Sequence, residues 1–288
     1  MSILDDIKQQ YKYGGINQKL IFWNIGLFLL SLIFFYKFKG GFFLYPDWLA
    51  LSSDYTTSLP FFWTFITYSF LHGGIFHLLF NLIVLNFAGR LFLTFFSEKQ
   101  LLGVYLLGAI FSGLIYVLAY TLTPELNNAI LVGASASVMA ILFATVSYSP
   151  LMTVRLLLIG YVKLWHIAAV IVVLDILQIG LNNTGGHISH LAGALFGFIF
   201  VLLLRQGTDL TKIVSKTTDL FTKDNKRKKS YKKYTPFKKV HINKQPTYSS
   251  KPNKSKNQQQ IDEILDKISR SGYDSLTKEE KEFLFRQK

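Results

Sequence analysis

Long runs of apolar residues, each close to the length of a bilayer-spanning helix, dominate the first 205 residues of the chain. A helix needs about 20 predominantly apolar residues to cross about 30 Å of hydrocarbon. The pattern therefore predicts an all-α polytopic membrane protein, a bundle of six transmembrane helices. The runs are Leu20–Tyr36, Ile75–Phe96, Leu101–Leu122, Ile130–Tyr148, Trp165–Leu181 and Ile188–Leu204.

Polar segments flank this region and divide the chain into four parts. Residues 1–19 are polar and are predicted to lie at the cytoplasmic surface, ahead of a membrane domain at 20–205. Residues 206–257 are rich in Lys, Asn, Gln, Ser and Pro, which predicts a disordered basic linker. Apolar residues at helical spacing return in 258–288, on both sides of Gly272, and predict a small C-terminal helical hairpin.

Charge and composition add an orientation to this picture. Half of the 288 residues are hydrophobic, and the mean hydropathy is +0.31. Residues 206–288 hold 21 Lys and Arg against 10 Asp and Glu, and so carry +11 of the net charge of +14. Because Lys and Arg are enriched on the cytoplasmic side, both termini are predicted to be cytoplasmic. The position of the basic tail beside a lipid bilayer accounts for its charge, so no nucleic acid partner is expected. The chain has no cysteine, which excludes thiolate chemistry.

Polar side chains within the second, fourth and sixth runs are the informative positions, since they are costly in lipid and mark function or helix contacts. His77 and Asn81 are four residues apart and therefore share a face of the second helix. Taken alone, this pair is typical of hydrogen bonding between helices. The small residues from Gly133 to Ser137 on the fourth helix, again taken alone, indicate close helix packing.

The sixth run combines a histidine with two glycines at a spacing of four. Gly193 and Gly197 predict close packing against the small residues of the fourth helix. Because both helices enter from the outer side, Ser135 and His190 are expected at the same depth, to within about one helical turn. A serine hydroxyl needs an adjacent base to become a good nucleophile, and the resulting oxyanion needs hydrogen-bond donors. With donors on the second helix, the arrangement is typical of acyl transfer.

The three clusters together resemble the motifs of the rhomboid family of intramembrane serine proteases, over about Trp63 to Leu204. Each matches one helix of the family, in the family's order. The matching segments are His77-x-x-x-Asn81, Gly133-Ala134-Ser135-Ala136 and His190-x-x-Gly193-x-x-x-Gly197. Ala136 departs from the pattern, because the family usually has Gly there.

The resemblance implies a Ser135–His190 dyad without an acidic third member. It also implies an oxyanion and substrate site made by His77, Asn81, Gly133 and the Ser135 amide, with no metal or other cofactor. The expected substrates are single-pass or multi-pass membrane proteins, cut near the outer end of a transmembrane helix. The expected location is the inner membrane of a bacterium.

Two other functions stay open on the sequence alone. One is an inactive rhomboid-like protein that binds transmembrane clients without cutting them. Its motives are Ala136 and Thr64, which follows Trp63 where many members of the family have Arg. The other is a transporter that relays protons through His72, His77, Asp175 and His190. The sequence shows no inverted repeat of the kind that many transporters contain.

Three further polar residues receive lesser roles. Ser137 lies two residues beyond Ser135 and so faces about 200° away around the helix. His187 is interpreted as a solvated cap at the start of the sixth helix. Asp175, deep in the fifth helix, is expected to be protonated or paired, because a buried carboxylate is expensive in a membrane.

Overall fold

The computed structural model divides the chain into two compact units, Met1–Asn225 and Lys226–Lys288. Residues 216–255 of the predicted linker lie outside the described part of the chain. The described residues are 2–123, 125–126, 128–156, 159–215 and 256–286.

Helices make up most of the first unit. They are α1 (Ile3–Tyr13), α2 (Ile16–Phe34), α3 (Tyr55–Ser58), α4 (Thr64–Thr67), α5 (Ile75–Phe92), α6 (Glu98–Leu122), α7 (Ser135–Tyr148), α8 (Leu164–Gln178) and α9 (Thr184–Arg205). Within the described residues, α2, α5, α6 and α9 are long and apolar enough to cross a membrane. The apolar helices α7 and α8 have only 14 and 15 residues. A multi-pass membrane protein is thereby supported, while the count of six spanning helices stays a prediction.

Short antiparallel strand pairs join the helices. They are β1 (Tyr36–Lys37) with β2 (Phe42–Phe43), β3 (Leu51–Ser52) with β4 (Ile130–Leu131), and β5 (Thr153–Leu156) with β6 (Gly160–Lys163). The β3–β4 pair changes the fourth apolar run, which was expected to be helical from Ile130. Its first residues are extended because they form a strand ladder, and the helix begins only at Ser135.

The core of this unit surrounds α7, which contacts α5, α6 and α9. Nearly every residue of α7 from Ala136 to Val146 is buried, so it is the central helix. Its neighbours contribute large side chains that are fully enclosed, among them Leu85, Tyr105 and Phe200. The position of the start of α7 is therefore fixed by packing on several sides.

The contact between α7 and α9 is a backbone contact. A Cβ atom built at Gly193 would overlap the carbonyl oxygen of Ala136. One turn further along α9, a Cβ at Gly197 would overlap the carbonyl oxygen of Ala140. Glycine at both positions lets the two helices approach more closely than any side chain would allow.

The described residues of the C-terminal unit include two helices, α10 (Lys256–Ser271) and α11 (Lys278–Phe285). Gly272, with a φ of +77°, ends α10, and a capping box between Thr277 and Glu280 starts α11. Lys267 Nζ donates to both carboxylate oxygens of Glu280 at 2.9 Å and joins the two helices. The Lys267 ammonium and the Thr277 amide hold the pKa of Glu280 below its usual value.

We expect Gly193→Ala to lower the free energy of unfolding by about 1–3 kcal/mol, because the new methyl group meets backbone that cannot rotate away. Gly26→Ala in α2 is the matched control, since no atom of the described residues lies within 4 Å of its Cβ position. That control should be neutral or stabilising by up to about 1 kcal/mol, because alanine is the better helix former. Unfolding of the full chain in detergent, followed by circular dichroism, measures both. Equal stability of the two variants would contradict the close backbone contact.

Candidate active site

A cavity of about 640 Å³ lies among α5, α7, α8 and α9, at the end where α7 begins. Polar side chains from all four helices face it: His77 and Asn81 of α5, Ser135 of α7, Asp175 and Gln178 of α8, and His187 and His190 of α9. Those that the sequence analysis placed in the site are His77, Asn81, Ser135 and His190. The structure thus brings these four predicted site residues together. The glycines Gly193 and Gly197 are not among the lining residues and lie deeper, at the contact between α7 and α9. Apolar side chains form most of the remaining wall: Phe80, Val84, Ile130, Leu131, Val132, Val138, Met139, Ile171 and Leu174.

Ser135 is the first residue of α7 and is partly exposed to this cavity. The preceding Gly133 adopts a φ of +131°, and its N–H donates to the Tyr68 carbonyl at 3.0 Å. The first backbone N–H groups of a helix have no acceptor within it and carry partial positive charge. The Ser135 amide and hydroxyl are therefore at the positive end of α7. Ser137, by contrast, is fully buried, and its hydroxyl has no hydrogen-bond partner among the described residues.

His77 directs one ring nitrogen towards Ser135. Its Nδ1 accepts a hydrogen bond from the Gly73 N–H at 3.3 Å. Because one nitrogen of a neutral imidazole accepts and the other donates, this bond assigns the proton to Nε2. A Cβ built at Gly133 would lie 2.9 Å from that Nε2 and 3.5 Å from Ser135 Oγ. The Nε2–H donor and the serine oxygen therefore border the same small space.

Asn81 lies one turn along α5 from His77 and is almost fully buried. Its Nδ2 donates to the His77 carbonyl at 2.8 Å, within the same helix. A carboxamide carries two N–H donors, so this bond uses one of them and fixes the side chain beside the cavity.

Asp175 contacts two histidines of α9 through one carboxylate oxygen. Its Oδ1 lies 2.7 Å from Nδ1 of His187 and 3.0 Å from Nδ1 of His190. The side chains of Asp175 and His187 are only 7% and 12% exposed, and that of His190 is 24% exposed. The sequence analysis expected Asp175 to be protonated or paired, without naming a partner, and the structure supplies two.

The interpretation of His187 as a solvated cap is therefore wrong. The helix starts at Thr184 rather than near Ile188, so His187 lies inside the first turn of α9. His187 and His190 are three residues apart on a helix and consequently share a face. That shared face is directed at Asp175. The three-residue spacing of the two histidines was the signal in the sequence that could have identified the contact.

His72 lies immediately before α5 and is completely enclosed. Its ring meets that of His77 edge to face, with centroids 5.2 Å apart. Burial, with a smaller contribution from neighbouring His77, lowers the pKa of His72 to about 3. His72 is thus neutral at physiological pH and packs against the His77 ring.

Ala136 is absent from the described residues that line the cavity. It is buried, and its backbone meets Gly193 of α9. Its side chain lies about 100° around the axis of α7 from that of Ser135, as expected for successive residues of a helix.

Comparison with known proteins matches each unit to a separate family model. The model described as Rhomboid domain matches residues 60–207, which is just over half of the chain. The model described as a family of unknown function (DUF6576) matches residues 248–286. No curated protein matches the chain.

We expect Gly133→Ala to lower the free energy of unfolding by about 1–3 kcal/mol, because a φ of +131° is strained for alanine and the methyl group would press on His77. Gly74→Ala, at the start of α5, is the control. Its φ of 174° is extended backbone that any residue adopts, and within the described part of the chain nothing lies within 4 Å of its Cβ position. Thermal unfolding of both variants in detergent checks this, and a tolerated Gly133→Ala would show that the turn into α7 can relax.

Proposed function

The chain belongs to the rhomboid family, and from that premise we propose that it is an intramembrane serine endopeptidase, with Ser135 as nucleophile and His190 as general base. The observation that carries this proposal is the shared cavity. It holds a partly exposed serine at the positive end of α7, a histidine on the neighbouring α9, and a hydrogen-bond donor on α5 directed at the space beside the serine. This is the set of groups that acyl transfer requires.

The proposed reaction begins when Ser135 Oγ attacks the carbonyl carbon of the scissile peptide. The hydroxyl proton passes to His190 Nε2, and the carbonyl π electrons move onto the oxygen. Collapse of this intermediate breaks the C–N bond, and His190 returns the proton to the leaving nitrogen. Water then attacks the acyl-serine, again giving its proton to His190, and releases the new carboxylate with Ser135 restored.

Three donors are proposed to stabilise the oxyanion. They are the Ser135 backbone N–H, the His77 Nε2–H and the second N–H of the Asn81 carboxamide. Within the described residues, no hydrogen bond joins Ser135 to His190. Such catalytic bonds are often long until substrate orders the site. Loss of a single oxyanion donor in a serine protease slows the reaction by about 10²–10³.

The proposed substrate is a segment of another membrane protein. Apolar side chains of α5 and α8 also line the cavity, namely Phe80, Val84, Ile171 and Leu174. Among its own residues α8 buries only Leu164, Ala168 and Asp175, so it is lightly held. By family resemblance, α8 is the helix proposed to move aside for substrate, which would be cut near the outer end of its transmembrane helix.

A catalytically inactive, client-binding rhomboid remains the alternative, and Ala136 is the residue that favours it. The position of Ala136 outside the cavity lining weakens that case. The transporter hypothesis is weakened in turn by the neutral and fully enclosed His72, which is poorly suited to a proton relay.

We expect Ser135→Ala and His190→Ala each to reduce cleavage of a model single-pass substrate by at least about 10³-fold, because the two residues act as a unit. Ser137→Ala is the matched control. It removes a buried hydroxyl two residues away that has no hydrogen-bond partner among the described residues, so cleavage should change less than about twofold. Mass spectrometry of products from proteoliposomes measures both the rate and the cut site.

Two outcomes would contradict this proposal. If Ser135→Ala still cuts at the wild-type rate, Ser135 is not the nucleophile. If the wild type captures substrate without cutting it, and Ala136→Gly then cuts, the client-binding alternative replaces the protease.

A further inference from the structure

We propose that Asp175 is a positioning residue for His190, so that this chain adds a carboxylate to the two-residue machinery proposed above. The inference rests on the proposed function. It departs from the dyad that the family resemblance implies, and it arises from the contact between α8 and α9.

The hydrogen bond to Asp175 fixes which nitrogen of His190 can act as a base. In the proposed arrangement Asp175 is ionised and only accepts hydrogen bonds, so the Nδ1 that lies 3.0 Å from its Oδ1 carries the proton. Nε2, on the opposite side of the ring, is then the acceptor. This tautomer is the one that can take a proton from Ser135.

The same carboxylate is placed to stabilise the imidazolium that forms during the reaction. Oδ2 of Asp175 is buried and has no hydrogen-bond partner among the described residues. Its negative charge is therefore offset only through the two N–H groups at Oδ1. The positive charge that forms on His190 during the reaction would be stabilised by the negative charge of Asp175. Neither side chain has to move for this to happen.

His187 supports the arrangement by contacting the same oxygen of the carboxylate. Its Nδ1 lies 2.7 Å from the same Oδ1, the shorter of the two contacts. One oxygen that accepts from two residues of α9 has little freedom to rotate away. His187 thus steadies Asp175, and through it the ring of His190.

A divalent metal ion is the other chemistry that two imidazoles and a carboxylate could support, and the three side chains do lie close enough to be considered. The distances favour hydrogen bonds instead. Tetrahedral zinc with bonds of about 2.0–2.1 Å separates its ligand atoms by about 3.3 Å. The observed separations of 2.7 and 3.0 Å are both shorter than that and fall in the range of N–H···O bonds.

The experiment compares Asp175→Asn and His187→Ala with wild type, as full-length protein in proteoliposomes. Asparagine keeps the shape of the side chain but can donate to Nδ1, which selects the other tautomer. We expect Asp175→Asn to lower kcat by about 10²–10⁴, with KM changed less than about threefold. His187→Ala should lower kcat by about 3- to 10-fold, because it only steadies the carboxylate.

Ser189→Ala is the matched control for disturbance of the same turn of α9. Its buried hydroxyl donates to the Gly185 carbonyl of its own helix at 2.8 Å. Its kcat should stay within about twofold of wild type. NMR of the ¹⁵N-histidine-labelled chain reports which ring nitrogen of His190 carries the proton. A purely structural role of Asp175 would not change that tautomer. The His190 signal, identified by its loss in His190→Ala, should show Nδ1–H in wild type and lose that state in Asp175→Asn.

The outcomes separate the two proposals. If wild type cuts and Asp175→Asn keeps its kcat within threefold, or keeps Nδ1–H on His190, the positioning role is refuted while the protease stands. If wild type does not cut, the protease fails and the positioning role fails with it. A stoichiometric metal ion that is retained by purified wild type and lost in Asp175→Asn would also overturn the inference, since the three side chains would then be metal ligands.

Discussion

The backbone contact between α7 and α9 is the constraint on which the rest of the membrane unit depends. Glycine at 193 and 197 lets the axis of α9 approach the carbonyl groups of Ala136 and Ala140. Because neither helix can slide without a backbone clash, the start of α7 and the second turn of α9 are held at one level. Ser135 and His190 belong to these two segments, so the packing of two helices decides whether the two side chains share a cavity.

Every polar group near that cavity also has to be accommodated in apolar surroundings. Asn81 bonds back to its own helix, and the His77 ring is held by the Gly73 N–H. Asp175 contacts two imidazoles through Oδ1, although its buried Oδ2 has no hydrogen-bond partner among the described residues. These bonds offset the cost of burial and at the same time fix tautomers and rotamers. In this site the hydrogen bonds that offset the cost of burying polar side chains also orient those side chains towards the cavity.

Much of this could be predicted from the sequence, because hydrophobic periodicity and helical spacing are local. The apolar runs indicated α2, α5, α6 and α9, and the spacing of His77 and Asn81 predicted their common face. The late start of α7 could not be predicted, since it depends on pairing between β3 and the distant β4. The Asp175 contact was missed for a similar reason: its partners lie 12 and 15 residues away, across a turn whose Asn183 adopts a φ of +50°.

Ala136 shows how the fold and the chemistry interact at a single position. In sequence it follows the proposed nucleophile directly, and there it looks like an intrusion into the oxyanion site. On a helix, however, its side chain points about 100° away from that of Ser135, and its peptide group faces α9. Where α9 meets the peptide group of Ala136, it can carry no side chain of its own, and Gly193 meets that requirement. The departure from the usual family residue therefore concerns helix packing more than the geometry of the cavity, and a methyl group at 136 is compatible with an open site.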